Sequence, residues 1–258
     1  MLTIRKEQMR VLGSVALRSF EMALVRHFFE FFQDECRLLG THQVRRVVQL
    51  GMSRAMPLGY KTNREIGLYI NLMFMLGSDF ENDPQIPWAR DQIRDQGVFR
   101  PYDRIRRVFQ SALDYLGETS GDNNGNLVRA LIRIRDYDLA AAPTSSGQQL
   151  EDDLFELFGK LHPQKQGVQG EQPTRALIRL AGERVKEYGP TSNPALAVYS
   201  VLMFMLGAGF DKDPLYPWAS EVLNLTDDRR EPARVPSLHY AAMEHLRESL
   251  THKPGNAP

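Results

Sequence analysis

Apolar residues recur at spacings of three and four along most of the chain, which is the period of an α-helix with one buried face. The first such stretch covers residues 5–39 and predicts one long amphipathic helix or two abutting ones. Its apolar positions are Met9, Leu12, Val15, Ala16, Phe20, Leu24, Phe28 and Phe31. We expect further amphipathic helices over 43–58 and 175–188, and another pair that carries Ile105 to Leu116 and Leu238 to Leu246.

Four aromatic residues occupy barely more than one turn of the first predicted helix: Phe28, Phe29, Phe31 and Phe32. They cannot all lie on one face of the helix, because neighbouring residues point in different directions. Either two neighbouring helices cover this part, or part of it is left for a partner. Aromatic residues at helical spacing usually belong to a core. The four are also the candidate partner-binding residues of the chain.

Two stretches, 64–76 and 194–206, are apolar on nearly every side and are expected at the centre of the fold. A helix of about 13 residues spans about 20 Å, which is shorter than the roughly 30 Å of a bilayer core, so neither is expected to cross a membrane. Thr62 and Glu65 have the spacing of a capping box, and Asn193 before a proline is the expected cap of the second helix.

These two stretches belong to an internal repeat, in a register that aligns Asn71 with Val201 and Ala89 with Ala219. Twelve of the nineteen positions from Asn71 to Ala89 are identical to their counterparts in this register. The repeated positions of greatest structural interest are Tyr69, Phe74, Gly77, Asp83, Pro84 and Trp88, followed by Tyr199, Phe204, Gly207, Asp213, Pro214 and Trp218. A repeat of this length predicts a multi-helix module and not a solenoid unit.

The predicted fold is therefore all-α, with two tandem copies of a helical module related by internal duplication and pseudo-symmetry. The first copy is expected to cover residues 1–129 and the second 130–251, with 252–258 as a disordered tail. Polar stretches predict loops at 117–126, 141–147 and 163–171. No convincing strand pattern occurs.

Composition narrows the classes of partner. The chain has 258 residues and carries 32 Lys plus Arg against 32 Asp plus Glu, with a pI near 7.0. A neutral surface does not attract nucleic acid or anionic membranes, so neither is expected as a partner. Cys36 is the only cysteine, which excludes an internal disulfide and suits a reducing compartment. The N-terminus lacks the pattern of a secretory signal, and we expect a cytoplasmic location.

The acidic loops around Asp83 and Asp213 are the best candidate for chemistry, since neighbouring carboxylates can converge on a divalent cation. They support the alternative hypothesis of a metal-dependent enzyme or metal-sensing module. Against it, the second loop has Gly209 and Lys212 where the first has Asp79 and Asn82, and Asp before Pro is ordinary in turns.

No other pattern in the sequence predicts chemistry. There is no zinc-binding histidine pair, nucleophile elbow, phosphate-binding loop or dinucleotide fingerprint. Cys36 is expected to be an inert, buried thiol. The arginines at 100, 104, 106 and 107 alternate with acidic residues and favour a solvated face over a phosphate site. We therefore expect a protein that is not an enzyme and has no catalytic, cofactor-binding or metal-binding residue.

The residues from Ile4 to Met9, from Tyr69 to Gly77 and from Phe80 to Ala89 resemble an uncharacterised family of proteobacterial proteins. Its members are often encoded beside type VI secretion spike proteins, their PAAR tips and toxin effectors. The resemblance covers residue 2 to about residue 93, and the second copy departs from it at the acidic loop and the first helix. It implies a protein-binding accessory of toxin delivery, either an effector chaperone or adaptor or an immunity protein. The implied partner is a toxin effector or a spike component.

Overall fold

The computed structural model describes residues 6–95, 97, 100–137, 142–189, 192–224 and 234–251, with side chains from residue 15 to residue 247 except at 234–236. Within these ranges the chain forms twelve α-helices and no strand, which confirms the all-α prediction. None of the helices in these ranges is long and apolar enough to cross a membrane. The predicted tail, 252–258, lies outside the described residues.

The helices are α1 (Lys6–Phe31), α2 (Gln33–Ala55), α3 (Asn63–Leu76), α4 (Pro87–Arg94), α5 (Pro101–Ser120), α6 (Gly125–Arg135), α7 (Gly147–Leu161), α8 (Pro163–Gln169), α9 (Glu171–Arg184), α10 (Asn193–Leu206), α11 (Pro217–Leu223) and α12 (Arg234–Thr251). The first amphipathic stretch is therefore divided between two helices, which abut at Phe32. A kink at Gly40, with φ +74°, divides α2 again.

Several helix boundaries recur in the register of the sequence repeat. Helices α3 and α10 match at both ends, and α4 and α11 match at their first residue. Single 3-10 turns at Phe80–Asn82 and Phe210–Lys212 also match. The kink at Gly40 corresponds to Gly170, with φ +81°, where the chain breaks between α8 and α9.

The caps of the two central helices show why they begin where they do. Thr62 and Glu65 form the predicted capping box: the Thr62 side chain accepts from the Glu65 N–H, and the Glu65 carboxylate accepts from the Thr62 N–H. The prediction that Asn193 caps α10 is wrong. Ser192 is the cap, because its extended backbone lets the hydroxyl accept from the Ala195 N–H. The Asn193 amide donates instead to the Ser145 carbonyl.

Two of the predicted loops are partly helical. Residues 117–120 continue α5, where the buried Thr119 hydroxyl donates to the Tyr115 carbonyl, and 125–126 begin α6. Residues 163–169 form α8, because Pro163 suits the first helical position and the His162 Nδ1 accepts from the Lys165 N–H. Helix α8 packs against α5, so a tertiary contact also stabilises this short, polar helix.

The buried apolar residues form two clusters. One is built from α1 to α5 and the other from α6 to α12, except that Leu215 belongs to the first. Each centres on a matched aromatic pair with ring centroids 4.4 Å apart, Phe28 on Phe74 and Phe158 on Phe204. Residue 130, the expected start of the second copy, lies inside α6, whose buried residues join the second cluster.

Candidate functional site

Helices α3 and α10 end against each other at the two repeated glycines. A Cβ on Gly77 would lie 3.0 Å from the Leu206 carbonyl oxygen, and one on Gly207 would lie 3.1 Å from the Leu76 carbonyl oxygen. Both glycines have positive φ, +94° and +102°, which L side chains rarely adopt. Glycine is required at both positions by the backbone conformation and by the close approach. We call this contact the paired helix ends.

The repeated aspartates join the two halves reciprocally. The Asp83 Oδ2 accepts from the Ala208 N–H at 2.8 Å, and the Asp213 Oδ2 accepts from the Ser78 N–H at 2.7 Å. The Oδ1 of each aspartate accepts from the second residue after it, at 2.9 Å in both loops. Each carboxylate therefore holds its own turn with one oxygen and the opposite half of the chain with the other.

Burial dominates the electrostatics of these carboxylates. Asp83 and Asp213 are 5% and 3% exposed. Burial raises the pKa of Asp213 to about 6 and also raises the pKa of Asp83, although the N–H donors oppose the rise. Within the described ranges, no group of three or more His, Cys, Asp or Glu is placed to hold a metal ion. The geometry makes the two aspartates structural, and the metal-site alternative gains no support from it.

The other repeated residues support the same junction. Tyr69 donates to Glu81, and Tyr199 donates to Asp211 at 2.9 Å, so each tyrosine fixes the 3-10 turn that precedes a buried aspartate. The repeated prolines and tryptophans, Pro84, Pro214, Trp88 and Trp218, are half-buried. All of these residues act in packing or in turns.

A cavity of about 140 Å³ lies beside the paired helix ends and contains groups that sequence reasoning missed. The Lys165 ammonium donates to the Phe204 carbonyl and lies 5.1 Å from the centroid of that ring. Burial lowers the pKa of Lys165 to about 8 and that of His162 to about 4. The sequence repeat does not single out Lys165, because the residue aligned with it is Glu35.

The four candidate aromatics of the first helix have different environments. Phe28 is fully buried on Phe74, Phe32 packs on both rings, and Phe29 is half-buried. Phe31 alone of the four is exposed, at 64%. Among the side chains of α1 that the structure describes, the other exposed large apolar ones are Val15, Leu17 and Met22, at 58%, 48% and 64%. Of the four predicted partner-binding residues, Phe31 is therefore the one whose ring is free to meet a partner, and binding there stays a prediction.

Two further predictions concern single residues. Cys36 is buried, and burial raises the pKa of its thiol to about 12, which keeps it protonated and poorly nucleophilic at neutral pH. The expectation that the arginines at 100, 104, 106 and 107 form a solvated face is wrong for Arg104. Arg104 is buried, with its guanidinium donating to the Leu58 carbonyl at 2.5 Å and to the Tyr60 hydroxyl at 3.2 Å.

Comparison of the chain with family models, with curated proteins and with solved structures finds no match.

Proposed function

We propose that this chain is a non-catalytic protein-binding module, built as an internal duplication whose two helical copies are related by pseudo-symmetry. The twelve identities in nineteen positions support the duplication, as do the shared bounds of α3 and α10. The reciprocal bonds of Asp83 and Asp213 are what a two-fold relation between the copies predicts. In this proposal the paired helix ends hold the copies together as a scaffold.

One observation carries the binding function: the residues that most resemble a chemical site are used inside the scaffold, while α1 exposes large apolar side chains. Helix α1 packs mainly against α2. Met22 and Phe31 are each 64% exposed. At 100° per residue, Val15 and Met22 lie on one side of α1, and Leu17 and Phe31 lie on the opposite side. A helix that exposes large apolar side chains and packs mainly on one neighbour can be held in a groove of another protein.

The proposed partner follows from the resemblance in the first copy. A toxin effector or a spike component of type VI secretion, bound in the bacterial cytoplasm, fits a neutral chain of this kind. The chain acts either as an effector chaperone or adaptor or as an immunity protein. Co-expression separates these roles, because a chaperone raises the level or export of its effector, whereas an immunity protein protects cells already exposed to the toxin.

The test is capture from the lysate of the source bacterium, with the tagged full-length chain as bait. Phe31→Asp replaces the exposed aromatic side chain of α1 with a charge. Tyr240→Asp is the matched control, because Tyr240 is 66% exposed on α12. We expect the original chain and Tyr240→Asp to retain one stoichiometric partner, identified by mass spectrometry as a toxin or spike component, and Phe31→Asp to lose it. Unchanged capture by Phe31→Asp, or no partner at all, would contradict the proposal.

A further inference from the structure

A groove of about 290 Å³ lies between the first turns of α2 and the helices α11 and α12. Its walls include Phe74, Tyr216, Trp218 and His245. The last three form an aromatic group, with the Trp218 ring centroid 6.4 Å from that of Tyr216 and 5.6 Å from that of His245. An aromatic wall of this kind favours either an apolar ligand or a cation over the ring faces.

Two carboxylates decide between these ligands. Glu35 and Glu221 line the groove, and both residues are exposed. In the described parts of the chain, no lysine or arginine forms an ion pair with either of them. A groove with aromatic walls and two negative charges attracts a positively charged group more than a neutral apolar one.

The place that corresponds to the groove in the register of the repeat already holds a cation. In the register of the repeat, Lys165 corresponds to Glu35 and Phe204 corresponds to Phe74. The Lys165 ammonium lies 5.1 Å from the Phe204 ring centroid and donates to the Phe204 carbonyl. Carbonyls in the last turn of a helix lack intrahelical donors and favour positive charge, so this cation is well placed at the end of α10.

The groove also lacks a hydrogen bond that the matching place has. At the matching place, the Gln169 amide donates to the Tyr115 hydroxyl at 2.9 Å and ties α8 to α5. The corresponding residues in the groove are Leu39 and His245. A leucine side chain has no donor, so this tie cannot form. The matching place is also an open cavity, of about 350 Å³, and Trp88, Tyr115 and Gln169 line it. The two places differ in chemistry, because the groove has the carboxylate of Glu35 where the matching place has Lys165 and the bond between Gln169 and Tyr115.

We propose that the groove binds a cationic side chain, an arginine or a lysine, that the partner protein inserts at the end of α3. The proposal rests on the protein-binding function above and adds to it the chemistry of one contact. The inserted cation lies over the Phe74 and Trp218 rings and pairs with Glu35 and Glu221. It takes the place that Lys165 occupies in the second half.

The binding of a small probe tests this contact without the partner. Nα-acetyl-arginine methylamide is titrated into the full-length, ¹⁵N-labelled chain, and the two tryptophan indole N–H signals are followed by NMR. Trp88→Phe assigns the signals. The uncharged control is Nα-acetyl-citrulline methylamide, which has nearly the same shape. We expect saturable shifts of the Trp218 signal with the arginine probe, smaller shifts at higher salt, and at least about tenfold weaker binding of citrulline.

Matched variants separate the groove from a general effect of charge. Glu35→Gln together with Glu221→Gln is expected to weaken binding of the arginine probe at least about tenfold. Asp91→Asn together with Asp114→Asn removes the same charge from exposed positions outside this groove, and is expected to leave binding unchanged. Equal weakening by both double variants would overturn the proposal, as would equal binding of citrulline or the absence of a saturable Trp218 shift.

The outcomes also distinguish the groove from the proposed function. If the probe fails to bind while capture of a partner still depends on Phe31, the groove proposal fails and the binding function stands. If the probe binds as expected but no protein is captured, the groove is a cation site and the protein-binding function fails.

Discussion

Alanine at Gly77 or Gly207 tests whether the two helix ends meet as closely as described. Both glycines have backbone angles that alanine adopts only with strain, φ +94° and ψ 152° at Gly77, and φ +102° and ψ 154° at Gly207. Such strain costs about 1–3 kcal/mol. The added Cβ would also meet a backbone carbonyl at 3.0–3.1 Å. That contact adds a packing penalty of about 1–3 kcal/mol, because a backbone carbonyl has little freedom to move away.

Gly40 provides the control that isolates the second penalty. Its backbone angles, φ +74° and ψ 157°, are similar, but a Cβ there meets nothing within 4 Å. Gly40→Ala is expected to cost only the strain, about 1–3 kcal/mol, and Gly77→Ala or Gly207→Ala about 2–6 kcal/mol in total. The assay is equilibrium unfolding in urea, followed by circular dichroism and tryptophan fluorescence.

The double variant sharpens the result. Gly77→Ala and Gly207→Ala open the same contact, so their combined cost is expected to be smaller than the sum of the single costs. If all three single alanine variants lose the same stability, or if the double variant is additive, the helix ends are not in the contact described and the reasoning is refuted.

Three further predictions concern buried charges. Asp83→Asn and Asp213→Asn each place an amide donor where a carboxylate oxygen accepts, so each is expected to lower the free energy of unfolding in urea by about 1–3 kcal/mol. The exposed control Asp114→Asn is expected to cost less than about 0.5 kcal/mol, and equal costs would contradict the reciprocal bonds. Burial raises the folded-state pKa of Asp213 to about 6, above the unfolded value of about 3.9. Between these values the folded state binds more protons than the unfolded state, so the free energy of unfolding falls as pH rises from about 4 to 6. Asp213 contributes a fall of about 3 kcal/mol over this interval, and urea unfolding at several pH values should show that Asp213→Asn lacks this fall. If the free energy of unfolding of Asp213→Asn falls with pH as steeply as that of the original chain, Asp213 is not the source of the fall. Burial lowers the folded-state pKa of Lys165 to about 8, below the unfolded value of about 10.4. The unfolded state binds more protons between these values, so the free energy of unfolding is expected to rise with pH across that interval. The rise is expected to be smaller in Lys165→Met, and parallel pH profiles of the two chains would contradict this prediction.

The sequence predicted local structure best where backbone chemistry is strongest. The capping box at Thr62 marks the start of α3 correctly, because its cap bonds depend on few residues. Helix α8 was predicted as a loop, because its Gln-rich and Gly-containing sequence has a weak helical pattern. Its stability comes from the His162 cap and from contact with α5, which a local pattern does not contain.

The candidate site was less predictable, because its contacts join residues far apart in the sequence. The repeat singled out Asp83 and Asp213, but the local sequence predicted only that each aspartate belongs to a turn or binds a cation. The bonds that Asp83 and Asp213 accept from distant amides span 125 and 135 residues, and no spacing rule shows which distant segments of a chain meet. Lys165 and Glu35 were missed because they differ between the copies.

Hydrogen–deuterium exchange of the chain, free and bound to the protein that it captures, tests the central claim most directly. The account predicts added protection in the α1 segment around Met22 and Phe31 and around the groove of Glu35 and Glu221. It predicts unchanged exchange at the paired helix ends, because their amides are already bonded inside the scaffold. Added protection confined to residues 77–85 and 207–215, with none on α1, would contradict the division of this protein into an internal scaffold and an exposed binding surface.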